Sequence, residues 1–413
     1  MEYRDYQKEI IKQGVGILNT HSILYLAMEV RTGKTLTSLG ICEEMGAESV
    51  LFVTKKKAMS SIANDVELLH PSYDIDIINY ESLHKITQKK WDIVICDEAH
   101  SMGAYAAPSK RAKQVKEILK KHGSMLMLMS GTPTPESFSQ MYHQVYGHPN
   151  NPFAKYKNFY RWADDYVNVK AKMIGSNRIN DYSHGVEQKI LSAMEPYTIN
   201  YTQKEAGFKS EVQEEILHVK MDNLTYRMSN MLKSDRVING REEAVLADTG
   251  AKLMSKLHQL YSGTIIFESG NSKTIDYSKA SFIAKKFYEK KIAIFYKFKQ
   301  ELDALKEVYP ERLLTTDVEE FHNDPDKSIA LQIVSGREGI SLRQAKYIVY
   351  YNIDFSATSY WQSRDRMTTK DRAFNKVYWV FAEDGIEDKI YERVINKKNY
   401  TLKHFKEDLL TLF

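Results

Sequence analysis

Three short residue clusters in this 413-residue chain carry the groups that phosphate chemistry requires. Gly33-Lys34-Thr35 closes one apolar run and opens a helical one. A glycine turn at a strand-to-helix junction offers backbone N–H groups to an anion, the lysine reaches outer phosphates, and the threonine hydroxyl suits Mg2+. The full phosphate-loop pattern asks for glycine five positions before Gly33, where this chain has Met28, so the tripeptide alone also fits an ordinary turn. Asp97-Glu98-Ala99-His100 adds more. It ends an apolar strand, which puts both carboxylates at the carboxyl edge of a sheet, where such folds bind ligands. Asp97 there can hold Mg2+, and Glu98 can orient and deprotonate an attacking water. Ser130-Gly131-Thr132-Pro133 ends the next apolar strand. Its composition suits a turn, and its position suits a small polar loop that couples hydrolysis beside a γ-phosphate to movement.

Alternating strands and helices must position these clusters. Strands are expected at Ser22–Ala27, Ser49–Val53, Ile75–Ile78, Trp91–Cys96 and Ser124–Met129, with a helix from about Leu36 to Met45. Such alternation predicts a doubly wound parallel sheet buried on both faces. It fades between about Pro152 and Gly270, where aromatic and charged residues mix at helical spacing, except for short strands expected near Glu215–Val219 and Gly263–Phe267. It resumes with strands at Lys291–Tyr296, Ser328–Val334, Tyr347–Tyr351 and Val377–Phe381, and helices at Lys299–Val308, Ala357–Arg366 and Gly385–Ile395. The expected class is α/β: a first sheet domain over 1–150, a mostly helical insertion or linker over 151–270, and a second sheet domain over 271–413.

Composition narrows the options. With 43% hydrophobic and 11% aromatic residues, and only 9 Pro and 19 Gly, the chain reads as folded throughout. No apolar run approaches the roughly 18 residues of a membrane span, and the opening Met1-Glu2-Tyr3-Arg4-Asp5 is not of signal-peptide type. Cys42 and Cys96 are too few for a disulfide framework or a four-cysteine zinc site. A cytoplasmic protein is expected, with no membrane partner. The +4 net charge, from 58 basic and 54 acidic residues, allows a polyanionic partner only if basic groups cluster on one face. Lys55–Lys57 and Lys110-Arg111-Ala112-Lys113 are stretches that could contribute, though each alone reads as a solvated face.

In order, these three clusters resemble motifs I, II and III of superfamily 2 helicases and translocases, and the rest of the chain is most similar to the Swi/Snf-like branch. Tyr3-Arg4-Asp5-Tyr6-Gln7 resembles that branch's opening motif, which implies that Gln7, with Arg4 beside it, reads adenine. Ser335-Gly336-Arg337-Glu338-Gly339 resembles motif V, Gln362-Ser363-Arg364-Asp365-Arg366 the start of motif VI, and Asp384–Ile390 the segment that follows it. The resemblance implies two RecA-like domains flanking a cleft, using ATP and Mg2+. ATP would be held by Arg4, Gln7, Arg31, Thr32, Gly33, Lys34 and Thr35, and Mg2+ by Thr35 and Asp97. Glu98, Asp97 and Lys34 would be catalytic, joined across the cleft by Gly339, Gln362 and Arg366, with Ser130, Gly131 and Thr132 coupling. Nucleic-acid phosphates would be gripped near Thr54, Lys55, Tyr80, Tyr296, Ser335 and Gly336.

Two departures stand out. Arg31 occupies a position where the branch has glycine, and Thr369 stands where motif VI usually carries its second arginine. The implied function is an ATP-dependent helicase or translocase on nucleic acid, DNA in preference, with a replication, recombination or nuclease protein as possible company. The alternative is an ATP-gated clamp, or the ATPase subunit of a nuclease or defence complex, which Thr369 favours. The compact length resembles helicase-like proteins of bacteriophages and mobile elements, so a bacterial or phage-infected cell is the expected setting.

Overall fold

The structure is a computed structural model that describes residues 2–86, 89–174, 177–207, 211–240, 243–333, 342, 344–356 and 374–396. The chain divides into two compact units, Met1–Gly207 and Phe208–Phe413.

The first unit is built on a six-stranded, all-parallel sheet. Its order is Asp74–Asn79, Ser49–Thr54, Ile93–Cys96, Met125–Met129, Ile23–Met28 and Thr198–Tyr201. Period-two alternation divides each strand between two apolar layers. Leu24, Leu26, Phe52, Ile95, Met127 and Met129 pack on one face with Ile10, Ile11 and Leu18 of helix α1 (Asp5–His21) and Leu39 and Ile41 of helix α2 (Lys34–Glu44). Tyr25, Leu51, Val53, Val94, Cys96 and Leu128 turn to the other face, against Val115, Leu119 and Trp162. Burial on both faces is why these strands read as continuous apolar runs. Cys42 and Cys96 are both free thiols inside these layers.

The second unit repeats the plan. Its parallel sheet runs Leu314–Thr315, Ser328–Gln332, Ile292–Tyr296, Tyr347–Tyr350, Phe374–Ala382 and Glu211–Val219. The helix Lys299–Val308 has the expected bounds, and the last expected helix is shortened to Glu387–Val394. That helix opens on Glu387, which is wholly buried and paired with the equally buried Lys279 at 2.6 Å. Gly385 is required beside it, since a Cβ there would lie 2.1 Å from a Glu387 carboxylate oxygen. The expected helix Ala357–Arg366 lies outside the described residues.

The middle stretch differs from a separate helical insertion. Thr198–Tyr201 joins the first sheet as an edge strand and Glu211–Val219 joins the second. Short antiparallel pairs, such as Val237–Asn239 with Ala244–Leu246, also interrupt its helices. The expected strand at Glu215–Val219 is the second half of the segment Glu211–Val219, whereas Thr198–Tyr201 escapes a periodicity reading because an edge strand needs only part of an apolar face. Glu211–Val219 carries three glutamates in its nine residues.

Candidate active site

All three chemistry-bearing clusters of the first unit lie at the carboxyl ends of neighbouring strands. The phosphate turn follows Ile23–Met28, the acidic pair follows Ile93–Cys96, and Ser130 follows Met125–Met129 between them in the sheet.

Gly33 caps α2 with φ 84° and, as a glycine, brings no side-chain cap to that helix. A Cβ at Gly33 would lie 2.6 Å from Gln7 Nε2, so the position excludes other residues by backbone conformation and by space. Gln7 is 3% exposed. Its Oε1 accepts from the Arg4 amide at 3.0 Å, while Nε2 donates to the Gly33 carbonyl and to Thr37 Oγ1, both at 3.4 Å. Gln7 thus braces the phosphate turn from below. Arg4 is exposed, and its guanidinium donates to the Tyr6 hydroxyl at 3.1 Å. The Tyr6 hydroxyl in turn donates to the Thr32 carbonyl at 3.0 Å. Thr32 Oγ1 and Lys34 Nζ both donate to the Glu29 carbonyl, at 2.8 and 3.2 Å. Thr35 is half-buried in the first turn of α2, beside Lys34.

Arg31 sits at φ 65°, in the left-handed region that favours glycine. This accounts physically for the glycine that the Swi/Snf-like pattern has there. Here the turn keeps that conformation with a bulkier residue, at a cost of about 1–3 kcal/mol.

Sequence reading missed Gln203, which holds the same turn from the far side. Its amide donates to a Glu29 carboxylate oxygen at 2.7 Å and its Nε2 to the Val30 carbonyl at 2.9 Å. The Glu29 amide donates to Tyr201 at 2.9 Å, and the Tyr201 ring stacks on Tyr6 at 4.8 Å. The partners lie more than 170 positions apart in sequence. No local pattern marks Gln203; only the pairing of Thr198–Tyr201 with Ile23–Met28 brings it there.

Asp97 and Glu98 are held differently. An Asp97 carboxylate oxygen accepts from Thr54 Oγ1 at 2.8 Å, and the Asp97 carbonyl accepts from the Tyr80 hydroxyl at 2.7 Å. Burial, and secondarily the Glu98 charge, push the Asp97 carboxyl up to about 6, against the opposing pull of Thr54 and Lys34. Glu98 adopts a left-handed φ of 50° at the start of a short 3-10 turn, Ala99–Met102. That conformation in a non-glycine residue is the kind of strain that clusters at functional sites. His100 Nδ1 lies 3.2 Å from a Glu98 carboxylate oxygen and 2.9 Å from Ser130 Oγ. The Thr132 amide donates to that same Ser130 oxygen at 3.1 Å, and Gly131 approaches Met28 and Val30. His100 therefore joins the acidic pair to the Ser130-Gly131-Thr132 loop directly.

Two expected nucleic-acid contacts are corrected by this geometry. Thr54 and Tyr80 are fully buried, and their hydroxyls are bound to Asp97, so they brace the acidic pair and do not face a phosphate. Lys55 is half-buried just beyond Thr54, and Tyr296 half-buried at the end of its strand in the second unit. Ser335, Gly336, Gly339, Gln362, Arg366 and Thr369 lie outside the described residues.

The SNF2-related domain profile matches residues 48–262, more than half of the chain and inclusive of Asp97–His100 and Ser130–Pro133. The chain belongs to the SNF2-related family. That places it in the Swi/Snf-like branch of superfamily 2 and makes it an ATP hydrolase by class. A stretch of 198 residues is 25% identical to a protein of Plasmodium falciparum (isolate 3D7) named a probable ATP-dependent helicase. The match covers 46% of this SNF2-related chain and only 9% of that relative's length. Among solved structures, the Sulfolobus solfataricus SWI2/SNF2 ATPase core in complex with dsDNA is similar at 14% identity, with TM-score 0.45 over 96% of this chain and 91% of that one. The same core domain alone gives 15% identity and TM-score 0.43, over 96% and 89%. Among the described residues no helix is long and apolar enough to cross a membrane, and no group of three or more His, Cys, Asp or Glu residues could hold a metal ion.

Proposed function

We propose that this SNF2-related chain is a nucleic-acid-dependent ATPase that moves along its polymer, with DNA the preferred track. The observation that carries the reading is the junction at the carboxyl edge of the first sheet. There Lys34 and Thr35 open α2, Asp97 and Glu98 follow the next-but-one strand, and His100 ties Glu98 to Ser130.

The roles follow from the chemistry of each group. Lys34 and the first-turn amides of α2 bind the phosphates. Glu98 orients and deprotonates the attacking water. Its hold on His100 changes when that water is consumed, and Ser130 passes the change to the 130–132 loop. Asp97 and Thr35 fit a magnesium ion. The Asp97 carboxylate and the Thr35 hydroxyl are hard oxygen donors at one sheet edge, and so few ligands suit an ion that takes its remaining ones from phosphates and water. Bound there, Mg2+ would neutralise charge on the phosphates. Gly339, Gln362 and Arg366 keep the roles that their motifs imply, Arg366 as the first of the two motif VI arginines; Thr369 stands where the second, the arginine finger, would be.

The name of the Plasmodium relative supports helicase-type activity, and the DNA in the Sulfolobus complex agrees with the preferred polymer. Steady-state ATP turnover at fixed salt, without nucleic acid and with single-stranded DNA, duplex DNA, forked DNA or RNA, tests the reading. At least one DNA should stimulate turnover by about tenfold or more, a barrier change of about 1.4 kcal/mol. Weak turnover that no polymer stimulates, with ATP-dependent retention on DNA, would instead establish the clamp that Thr369 favours.

A further inference from the structure

The opposite edge of the first sheet holds a second feature, far from the ATP site. Ser22 and Ser124, which immediately precede the strands Ile23–Met28 and Met125–Met129, line a hollow of about 720 Å3. Ligand pockets span about 300–1,000 Å3. A strand length of about 17–20 Å separates this edge from the carboxyl edge.

The back wall of the hollow is fixed. Tyr142 packs against Phe159 and Trp162 with ring centroids 5.5 and 5.1 Å apart, and His143 stacks on Phe159 at 5.2 Å. The chain turn at Gly147 closes on the helix Lys110–His122 so tightly that a Cβ there would lie 3.3 Å from Lys116. The rim is of another character. Tyr146 and Tyr156 are half-buried and Tyr160 is 53% exposed. Lys116, Lys120 and Lys157 stand exposed among them, and no described lining residue is acidic, although the Tyr156 hydroxyl donates to the Asp165 carboxylate at 2.6 Å. The Lys116 ammonium lies 4.5 Å from the centre of the Tyr146 ring, which holds the charge at the mouth. The helix behind it carries six Lys or Arg residues to one Glu.

This charge is local. The chain as a whole is only +4, and a hollow in the second unit is lined by Asp317, Glu319, Glu320 and Asp324 with Lys327 as its one basic residue among those described. Lysines alternating with tyrosine faces, over a rigid aromatic wall, match the chemistry of an unpaired nucleotide strand. Phosphates meet the ammonium groups, and splayed bases stack on the rings with little regard to sequence. A duplex keeps its bases stacked inside and would leave the tyrosines unused.

We propose that the hollow bounded by Lys116, Lys120, Tyr146, Tyr156 and Tyr160 binds single-stranded nucleic acid. It would hold a displaced or incoming strand on the face of the first unit away from the nucleotide. The choice of polymer rests on the function proposed above; the site itself does not involve ATP.

The test uses the full chain and a fluorescein-labelled deoxythymidine oligomer of about 12 nucleotides. Photo-cross-linking with the same oligomer carrying iodouridine should attach it to the peptide spanning residues 142–160. Anisotropy titrations should show Lys116→Glu/Lys120→Glu weakening binding by about tenfold or more and flattening the log–log salt slope by about 1.4, for two phosphates on a single strand. Tyr160→Ala should cost about tenfold, and Tyr160→Phe should bind like the wild type. Cross-links confined to other peptides, or an unchanged affinity and slope in the lysine variant, would overturn the proposal. So would an equal loss on a duplex of the same length, which marks a backbone-binding basic patch without stacking. ATP turnover without nucleic acid, measured on the same preparations, should stay at the wild-type level. Absence of turnover from the wild type even with DNA present would count against the ATPase reading and leave the strand-binding result standing.

Discussion

The two edges of the first sheet arrange polar side chains under opposite rules. At the carboxyl edge each chemical group is tied to a neighbour: Asp97 to Thr54, His100 to Glu98 and Ser130, and the phosphate turn to Gln7 and Gln203. At the amino edge Lys116, Lys120 and Tyr160 reach outward from a packed aromatic wall. Preorganised groups suit a reaction in which small displacements are costly. Outward lysines and rings suit a flexible polymer whose contacts are interchangeable. The same sheet therefore carries a site built for accuracy and a surface built for tolerance.

Variants at the carboxyl edge can break this contrast. Among residues that position the site without reacting, the largest effect is expected from Gly33→Ala, which meets both a left-handed backbone and the Gln7 amide. It should lower kcat/KM for ATP by about a hundredfold or more, the scale of a small misplacement at a reacting group. An unchanged kcat/KM would mean the turn has slack, and the contrast would fail. Gln203→Ala comes next. Losing two bonds to the turn without touching the reacting atoms should raise KM for ATP by about tenfold and leave kcat within about twofold. A fall in kcat at constant KM would place Gln203 in the chemistry instead of the positioning.

Asp97→Asn sharpens the contrast through pH. Because the folded carboxyl titrates near 6, above its ordinary range, its ionisation opposes folding. That cost is fully present above the folded value and disappears once the pH falls below about 4, where both states are protonated. Without nucleotide, the variant should therefore melt at a higher temperature than the wild type at about pH 8, with the gain fading between pH 6 and 4. A gain that grows toward acid would contradict the burial of this charge. The smallest effect is expected from Arg31→Gly. Relief of the left-handed backbone, less the extra freedom of glycine in the unfolded chain, should stabilise the protein by about 1 kcal/mol in denaturant titration. Destabilisation would show that the Arg31 side chain contributes more than its backbone costs.

The carboxyl edge was legible in the sequence because its residues are consecutive. A turn after a strand forces neighbours in sequence to be neighbours in space, so Gly33–Thr35, Asp97–His100 and Ser130–Pro133 could be read as units. The sheets were legible for the same reason, since double burial makes a strand a continuous apolar run. What escaped depends on chain crossings. Gln203 acts on a turn more than 170 positions earlier, and Thr54 and Tyr80 looked like loop residues until their hydroxyls were found beneath Asp97. The amino-edge hollow combines Ser22, Lys116, Lys120 and Tyr160, which no spacing rule connects. The edge strand Thr198–Tyr201 and the polar first half of Glu211–Val219 were hidden by their polar residues, and with them the division of the middle stretch between the two units.

The account depends most on Glu98 as the group that activates water at the carboxyl edge. Glu98→Gln keeps the shape of the side chain and removes its basicity, so binding and chemistry can be separated in one preparation. Equilibrium titration with a fluorescent ATP analogue should give the wild-type Kd, while steady-state turnover at saturating ATP should fall by about 10²- to 10⁴-fold. Wild-type turnover in Glu98→Gln would contradict the assignment of this edge as the hydrolytic site.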